Sequence, residues 1–220
     1  MRKIIMLILC FFLSITCARA SLPLSGKLIV IDVGHGGDDP GTSYQNVLEK
    51  DLNLQISHAL EETIIKNGAS VILTRDGDYD LSTPNAKRRK KSDFDNRIDL
   101  INNSKADLYV SIHINYLDDK SYYGGQIFYY GEENKKLAEK IQARFNEISY
   151  PRSIKNMPNI YMYRRLKLPG VLVECGFISN ANEREKLQTK EYQTQIAEVI
   201  TSGIIDYFTK TSQFFDLTTT

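Results

Sequence analysis

Residues able to bind a metal or move a proton recur where apolar runs end. The run LIVIDV at 28–33 gives way to Gly34 and His35, within GHGG. A second run, DLYVSIHI at 107–114, carries His113 near its end and Asn115 just beyond. Glu49 opens an amphipathic segment soon after the first histidine, and Glu174 sits inside the apolar VLVECGF. The chain has only three histidines, so most of them stand at matching positions. Two imidazoles and one carboxylate form the ligand set of a catalytic zinc, with the fourth position left to water. Hard cations such as magnesium prefer oxygen ligands, which favours zinc for this set. The glycines around His35 permit a sharp turn that aims its ring, and Asp32 is placed to orient a ligand. A carboxylate in an apolar strand end needs a partner or a function. Beside an activated water, Glu174 can act as general base and then pass the proton to a leaving amine.

Each residue also has a plainer reading. A histidine ending a strand can simply pack or meet solvent. Glu49 complements the positive end of a helix dipole. GHGG can cradle a phosphate, and Glu174 can belong to a structural ion pair. Cys175 reads as a small buried hydrophobe, and His58, inside the first helical segment, as structural. The basic run AKRRKK at 86–91 reads as a solvated face before a helix that Asp93 caps, or as a contact for an anionic polymer or partner. Tyr122 and Tyr123, in YYGG, either stack on sugar rings or lead into a strand.

These residues must be positioned by regular elements. Apolar and β-branched runs predict strands at 27–33, 70–74, 107–114, 125–130 and 171–175. Apolar residues at helical spacing predict helices at 49–67, 93–103, 134–148 and 192–208, the first ending at Asn67-Gly68. Strands alternating with helices imply an α/β fold: a single domain with a mostly parallel, twisted sheet and helices on both faces. Ligands of such sheets sit outside the carboxyl ends of the strands. Four strands deliver polar groups there: Asp32 and His35; Thr74, Arg75 and Asp76; His113 and Asn115; and Glu174.

The chain of 220 residues suffices for one well-formed core. Its 42% apolar and 25% charged content is that of an ordinary globular protein, and a net charge of +1 argues against nucleic acid as a partner. The start differs in composition. Arg2 and Lys3 precede an apolar stretch at 4–15, and Ala18-Arg19-Ala20 stands before Ser21. This is the pattern of a secretory signal peptide or an uncleaved N-terminal anchor. The stretch is shorter than the roughly 20 residues of a membrane span, so membrane association is expected only through this segment if it is retained. Cys17 follows Ser14-Ile15-Thr16, which lacks the small residue expected before a lipid-modified cysteine. With Cys10 and Cys17 in the leader, Cys175 stands alone and no internal disulfide framework is available. The expected organisation is leader 1–20, linker 21–26, catalytic domain 27–210 and loose tail 211–220.

Five blocks, IVIDVGHGG, LEKDLNL, VILTRD, SIHIN and VLVECGFISN, occur in an order and spacing that resembles the zinc-dependent N-acetylmuramoyl-L-alanine amidases of the amidase-3 family. The resemblance runs from about residue 27 to 208. It implies that His35, Glu49 and His113 hold one Zn2+ and that Glu174 is the catalytic acid/base. Val33 replaces the usual proline of the first block, and Cys175 an aliphatic residue, without loss of a ligand. Arg75, Arg97 and Asn115 are candidate substrate or oxyanion contacts, with surface pairing the alternative for the arginines. SLPLSGK, RRKKSDFDNRIDLIN and GGQIFYYG look like the germination-specific members found in endospore formers. That likeness implies removal of stem peptides from spore-cortex peptidoglycan, ahead of muramic δ-lactam formation. It also implies an exported protein, in the intermembrane space where forespore cortex is built. Residues 115–124 are too few for the autoinhibitory helix of some division relatives, so restraint is expected from an accessory lipoprotein, another regulatory protein or limited zinc loading. The competing readings are another zinc-dependent wall hydrolase, a peptidase or deacetylase, and a non-catalytic peptidoglycan-binding module.

Overall fold

The computed structural model describes residues 21–157 and 160–215, the last six by backbone alone. The expected leader lies outside the described residues, as does the tail beyond Phe215. Strand β1 (Leu28–Val33) leads to a small hairpin, β2 (Ser43–Tyr44) and β3 (Val47–Leu48), and then helix α1 (Glu49–Lys66). Strand β4 (Ser70–Leu73), helix α2 (Arg89–Asn103) and strand β5 (Leu108–Asn115) follow. Next come β6 (Gln126–Tyr129), α3 (Lys135–Ile148), β7 (Lys155–Asn156) and β8 (Gly170–Phe177). Two helices, α4 (Ala181–Leu187) and α5 (Lys190–Phe215), complete the fold.

The main sheet has the order β4-β1-β5-β8-β6-β7. Its first four strands are mutually parallel, β6 runs antiparallel to β8, and β7 pairs parallel with β6. The expected α/β sheet is therefore present, with the segment at 125–130 reversed in direction. Side chains alternate across a strand. Ile29, Ile31 and Val33 join one core with α1, α3 and α5, whereas Val30 joins a second core with Ile98 and Ile101 of α2. Both faces are thus covered, which explains why β1 is an almost unbroken apolar run.

Helix α1 ends near Asn67, where Gly68 takes φ +97 and lets the chain turn into β4. Helix α2 starts earlier than expected, at Arg89 rather than Asp93. Asp93 is not its cap: the side chain accepts from the Leu81 amide at 2.8 Å and pairs with Arg97 inside the helix. A basic first turn opposes the helix dipole. Nearby acids offset it: Arg89 pairs with Asp38 and Asp80, and Lys90 with Asp39. Arg89 and Lys90 of the basic run therefore clamp the turn after β1, while Lys87 and Arg88 form the expected solvated face. Among the described residues no helix is long and apolar enough to cross a membrane.

Candidate metal and hydrolytic site

Three loops and strand ends converge at the carboxyl edge of the sheet. His35 lies just after β1 in the left-handed region, at φ +62. A non-glycine residue held there is strained by roughly 1 kcal/mol or more, and such strain clusters at functional sites. Glu49 is the first residue of α1 and is buried. Its Oε2 accepts from the Thr42 amide at 2.8 Å, and its own amide donates to the Thr42 carbonyl, pinning the loop to the helix start. His113 comes from β5 and stands directly opposite Glu174 of β8 in the sheet register. A bulge follows at once, since Asn115 pairs with Phe177. Bulges next to active sites re-aim the side chains that flank them.

The groups expected to bind metal are in fact together. Glu49 Oε1 lies 3.1 Å from His35 Nε2 and 2.9 Å from His113 Nδ1. One ligand atom from each of the three falls within 4.8 Å of the others, so the cluster could hold a metal ion. The two rings meet edge to face at 5.0 Å. Two glycines make the crowding possible. A Cβ on Gly34 would come within 2.5 Å of the His113 ring, and one on Gly41 within 2.6 Å of both Glu49 and His35. Gly41 also has φ +64, a conformation that other residues adopt only at a cost.

Asp39, not Asp32, orients the first histidine. Its Oδ2 accepts from His35 Nδ1 at 2.9 Å, which leaves Nε2 turned toward Glu49. Lys90 contacts the same Asp39 oxygen. The sequence offered a signal for this, because Asp39 follows His35 by four residues in a glycine-rich turn. Asp32 is buried and engaged by other groups, accepting from Ser111 Oγ at 2.6 Å, Arg97 Nη1 at 2.8 Å and Thr74 Oγ1 at 3.1 Å.

Arg75 and Arg97 are almost fully buried, at 1% and 2% exposure. Their guanidinium groups point into the turn, not out to solvent. Arg97 donates to the carbonyls of Val33 and His35, and Arg75 to those of Val33 and Gly34. Three consecutive carbonyls of the turn that carries His35 are thereby held from beneath. This accounts for both arginines without a substrate contact or surface pairing. Asn115 borders the open cleft beside His113 and Glu174, with its Oδ1 taken by the Tyr116 amide. Val33 uses its amide, which donates to Thr74 Oγ1 at 2.9 Å; the proline that the family resemblance implies at this position has no such donor.

Electrostatics follow the geometry. Burial opposes charge on His35, but the Asp39 and Glu49 carboxylates outweigh it and lift the ring to about 9. Burial also works against ionised Glu49 and Asp39, yet their histidine and lysine partners hold both well below the usual carboxylate range. Glu174 behaves oppositely. Burial and the nearby Glu49 charge push it up to about 8, with His35 pulling weakly the other way. Its Oε2 is buried without a hydrogen-bond partner. An orphaned, basic carboxylate oxygen in a polar cleft is the expected state of a group that exchanges protons during reaction. Cys175, next in the chain, is buried, and burial drives its thiol far above reactive values.

Residues 29–206 match the family model Amidase_3, N-acetylmuramoyl-L-alanine amidase. The chain belongs to the N-acetylmuramoyl-L-alanine amidase family. As an amidase of this family it hydrolyses the muramoyl–L-alanine amide of the cell wall. The germination-specific N-acetylmuramoyl-L-alanine amidase of Bacillus subtilis is 42% identical over 197 residues, covering 86% of this amidase and 83% of that protein. The CwlD amidase of Clostridioides difficile, solved in complex with the GerS lipoprotein, superposes with a TM-score of 0.79 at 37% identity. That match covers 83% of this amidase and 98% of the other chain. An N-acetylmuramoyl-L-alanine amidase from Clostridium difficile 630 gives 0.72 at 32% identity, over 83% and 96% of the two chains.

Proposed function

We propose that this amidase is a zinc enzyme in which His35, Glu49 and His113 hold the metal and Glu174 moves the proton. The observation that carries this reading is the contact of Glu49 Oε1 with both imidazoles beside the orphaned Glu174 Oε2. The donor set suits zinc: two ring nitrogens and one carboxylate oxygen, with space left on the cleft side. When bound, zinc would polarise the amide carbonyl and acidify the attacking water. Asp39 keeps the His35 proton on Nδ1, so that Nε2 is free as a ligand. Glu174 Oε2 accepts the water proton and returns it to the alanine nitrogen as the C–N bond breaks. The products are the lactyl carboxylic acid on muramic acid and a stem peptide with a free amine.

The likeness to a germination-specific enzyme supports a role in spore-cortex peptidoglycan, as the step that exposes the lactyl carboxyl for muramic δ-lactam formation. An exported location is part of the same reading, with residues 1–20 as the leader. The complex formed by the Clostridioides difficile relative supports an accessory lipoprotein as partner.

The test joins metal analysis to product analysis. Glu174→Gln is expected to keep about one zinc per chain and to lose hydrolysis by about 10²-fold or more. His113→Ala is expected to lose the zinc. Mass spectrometry of cortex digests should find free stem peptides, whereas acetate release would indicate a deacetylase. Wild-type turnover by Glu174→Gln would remove that residue from the mechanism.

A further inference from the structure

Glu174 sits where regular strand pairing stops on both sides. It stands opposite His113 of β5 and opposite Gln126 of β6, and it is the last residue of β8 paired with β6. Toward β5 the register slips immediately beyond it, so that Asn115 faces Phe177. No hydrogen bond fixes Glu174 Oε2. Its aim therefore depends on the backbone that carries it, at the point where the regular ladder ends.

Glu183 takes over at that point. Asn180 and Glu183 have the spacing of a capping box, in which the first side chain caps a helix and the acid bonds back to the first amide. The first half is made: Asn180 Oδ1 accepts from the Glu183 amide at 3.0 Å. The second is not, because the Asn180 amide donates to the Phe177 carbonyl. The Glu183 carboxylate turns to the sheet instead. Its Oε2 accepts from the Phe177 amide at 2.7 Å, and its Oε1 from the Gly124 amide at 2.7 Å. Gly124 lies just before β6 and Phe177 ends β8, so one carboxylate ties the two strands together just past Glu174. The group is 4% exposed, and the Tyr192 hydroxyl of α5 donates to it at 3.4 Å. It fits only against bare backbone, since a Cβ on Gly176 would come within 2.8 Å of its carboxyl carbon.

We propose that Glu183 is a positioning residue of the amidase reaction: it sets the bulge that aims Glu174 at the attacking water. The assignment rests on the zinc-amidase reading above and adds a residue that acts on the reaction through the main chain. Carboxylate bonds to main-chain amides are charge-assisted and stronger than neutral ones, which suits a clamp on a strand end. The residues proposed to hold zinc come from the turn after β1, from α1 and from β5. None of the Glu183 hydrogen bonds reaches those elements. Loss of the clamp should therefore separate proton transfer from metal binding.

The experiment gives zinc-loaded protein soluble muropeptides and measures zinc affinity in parallel by chelator competition. Glu183→Gln keeps the shape but replaces one accepting oxygen by a donor, so only one of the two amides stays bonded. It is expected to lower kcat about tenfold or more, because a small misplacement of a reacting group is costly. KM and zinc affinity should stay within about twofold of wild type. Glu183→Asp is the milder change: it keeps the charge but is too short to reach both amides. It should show the same split with a loss of about threefold in kcat. The deciding measurement is a double-mutant cycle with Glu174→Gln. If Glu183 acts through Glu174, adding Glu183→Gln to that variant removes nothing further from its residual hydrolysis. Losses that multiply in the double variant, or an unchanged kcat in the single variants, would overturn the assignment. So would zinc affinity falling in step with kcat, the mark of a general loosening of the fold. Wild-type turnover by Glu174→Gln alone would instead overturn the underlying zinc-amidase reading.

Discussion

Asp39 fixes the tautomer of His35, and Lys90 in turn holds Asp39. Carboxylates that orient metal-binding histidines typically contribute 10–100-fold to metal affinity. Asp39→Asn keeps the size but offers a weaker acceptor, so zinc affinity is expected to fall by about that range. Competition with a coloured chelator measures it, and unchanged affinity would show that the turn alone positions the ring. Gly41 acts by absence. Gly41→Ala places a methyl within 2.6 Å of both Glu49 and His35 at a backbone angle alanine resists. The variant is expected to bind zinc poorly and to unfold at lower urea, a combination that calorimetry and metal analysis read separately.

Arg97 links α2 to β1 and to the turn beyond it. Its partners are Asp32, Asp93 and two main-chain carbonyls, all buried. Removing one member of a buried ionic group costs about 3–5 kcal/mol, because the remaining charges lose their counterpart. Arg97→Met is expected to lower urea stability by that order, and Arg97→Lys should recover little of it, since one amine cannot reach partners on separate sides. This network marks what the sequence could and could not disclose. Apolar runs revealed β1, β5 and β8, which are buried along most of their length, and the edge strand β4, whose apolar residues are half-buried; helical spacing revealed α1. The residues proposed as ligands were legible because each stands at the edge of such an element, His35 and His113 at strand ends and Glu49 at the start of α1. The partner of His35 was only half legible: Asp39 follows four residues on in a glycine-rich turn, but Asp32 is as near in the chain and only the turn geometry separates them. Likewise the start of α2 was misread, since its basic first turn defies the dipole and is explained only by Asp38, Asp39 and Asp80 arriving from other loops. The short α4 and the β2–β3 hairpin carry too few apolar residues to declare a period.

For the molecule as a whole, the site sets a conflict between stability and function that pH exposes. Consider first the protein stripped of metal. Glu174 ionises near 4.5 when unfolded but at about 8 when folded, so between those values the native state holds the extra proton and stability falls as pH rises. His35 adds to the same slope: its charged form is favoured by folding, and that contribution is lost as pH climbs through about 9. Asp39 and Glu49 act in reverse, since their lowered folded values make stability fall when acid protonates them. The chelated protein should therefore be most stable near pH 4.5, and its Tm is expected to drop by about 5 °C or more from pH 5.5 to 9. Glu174→Gln removes one titrating group and should flatten this decline. Zinc inverts it, because binding requires neutral His35 and ionised Glu49 and so strengthens with pH. Calorimetry across that range, with and without zinc, should show the two curves diverging as pH rises. Parallel curves would mean that metal binding displaces no proton from His35 and that its coupling to Glu49 is weaker than the short contacts imply.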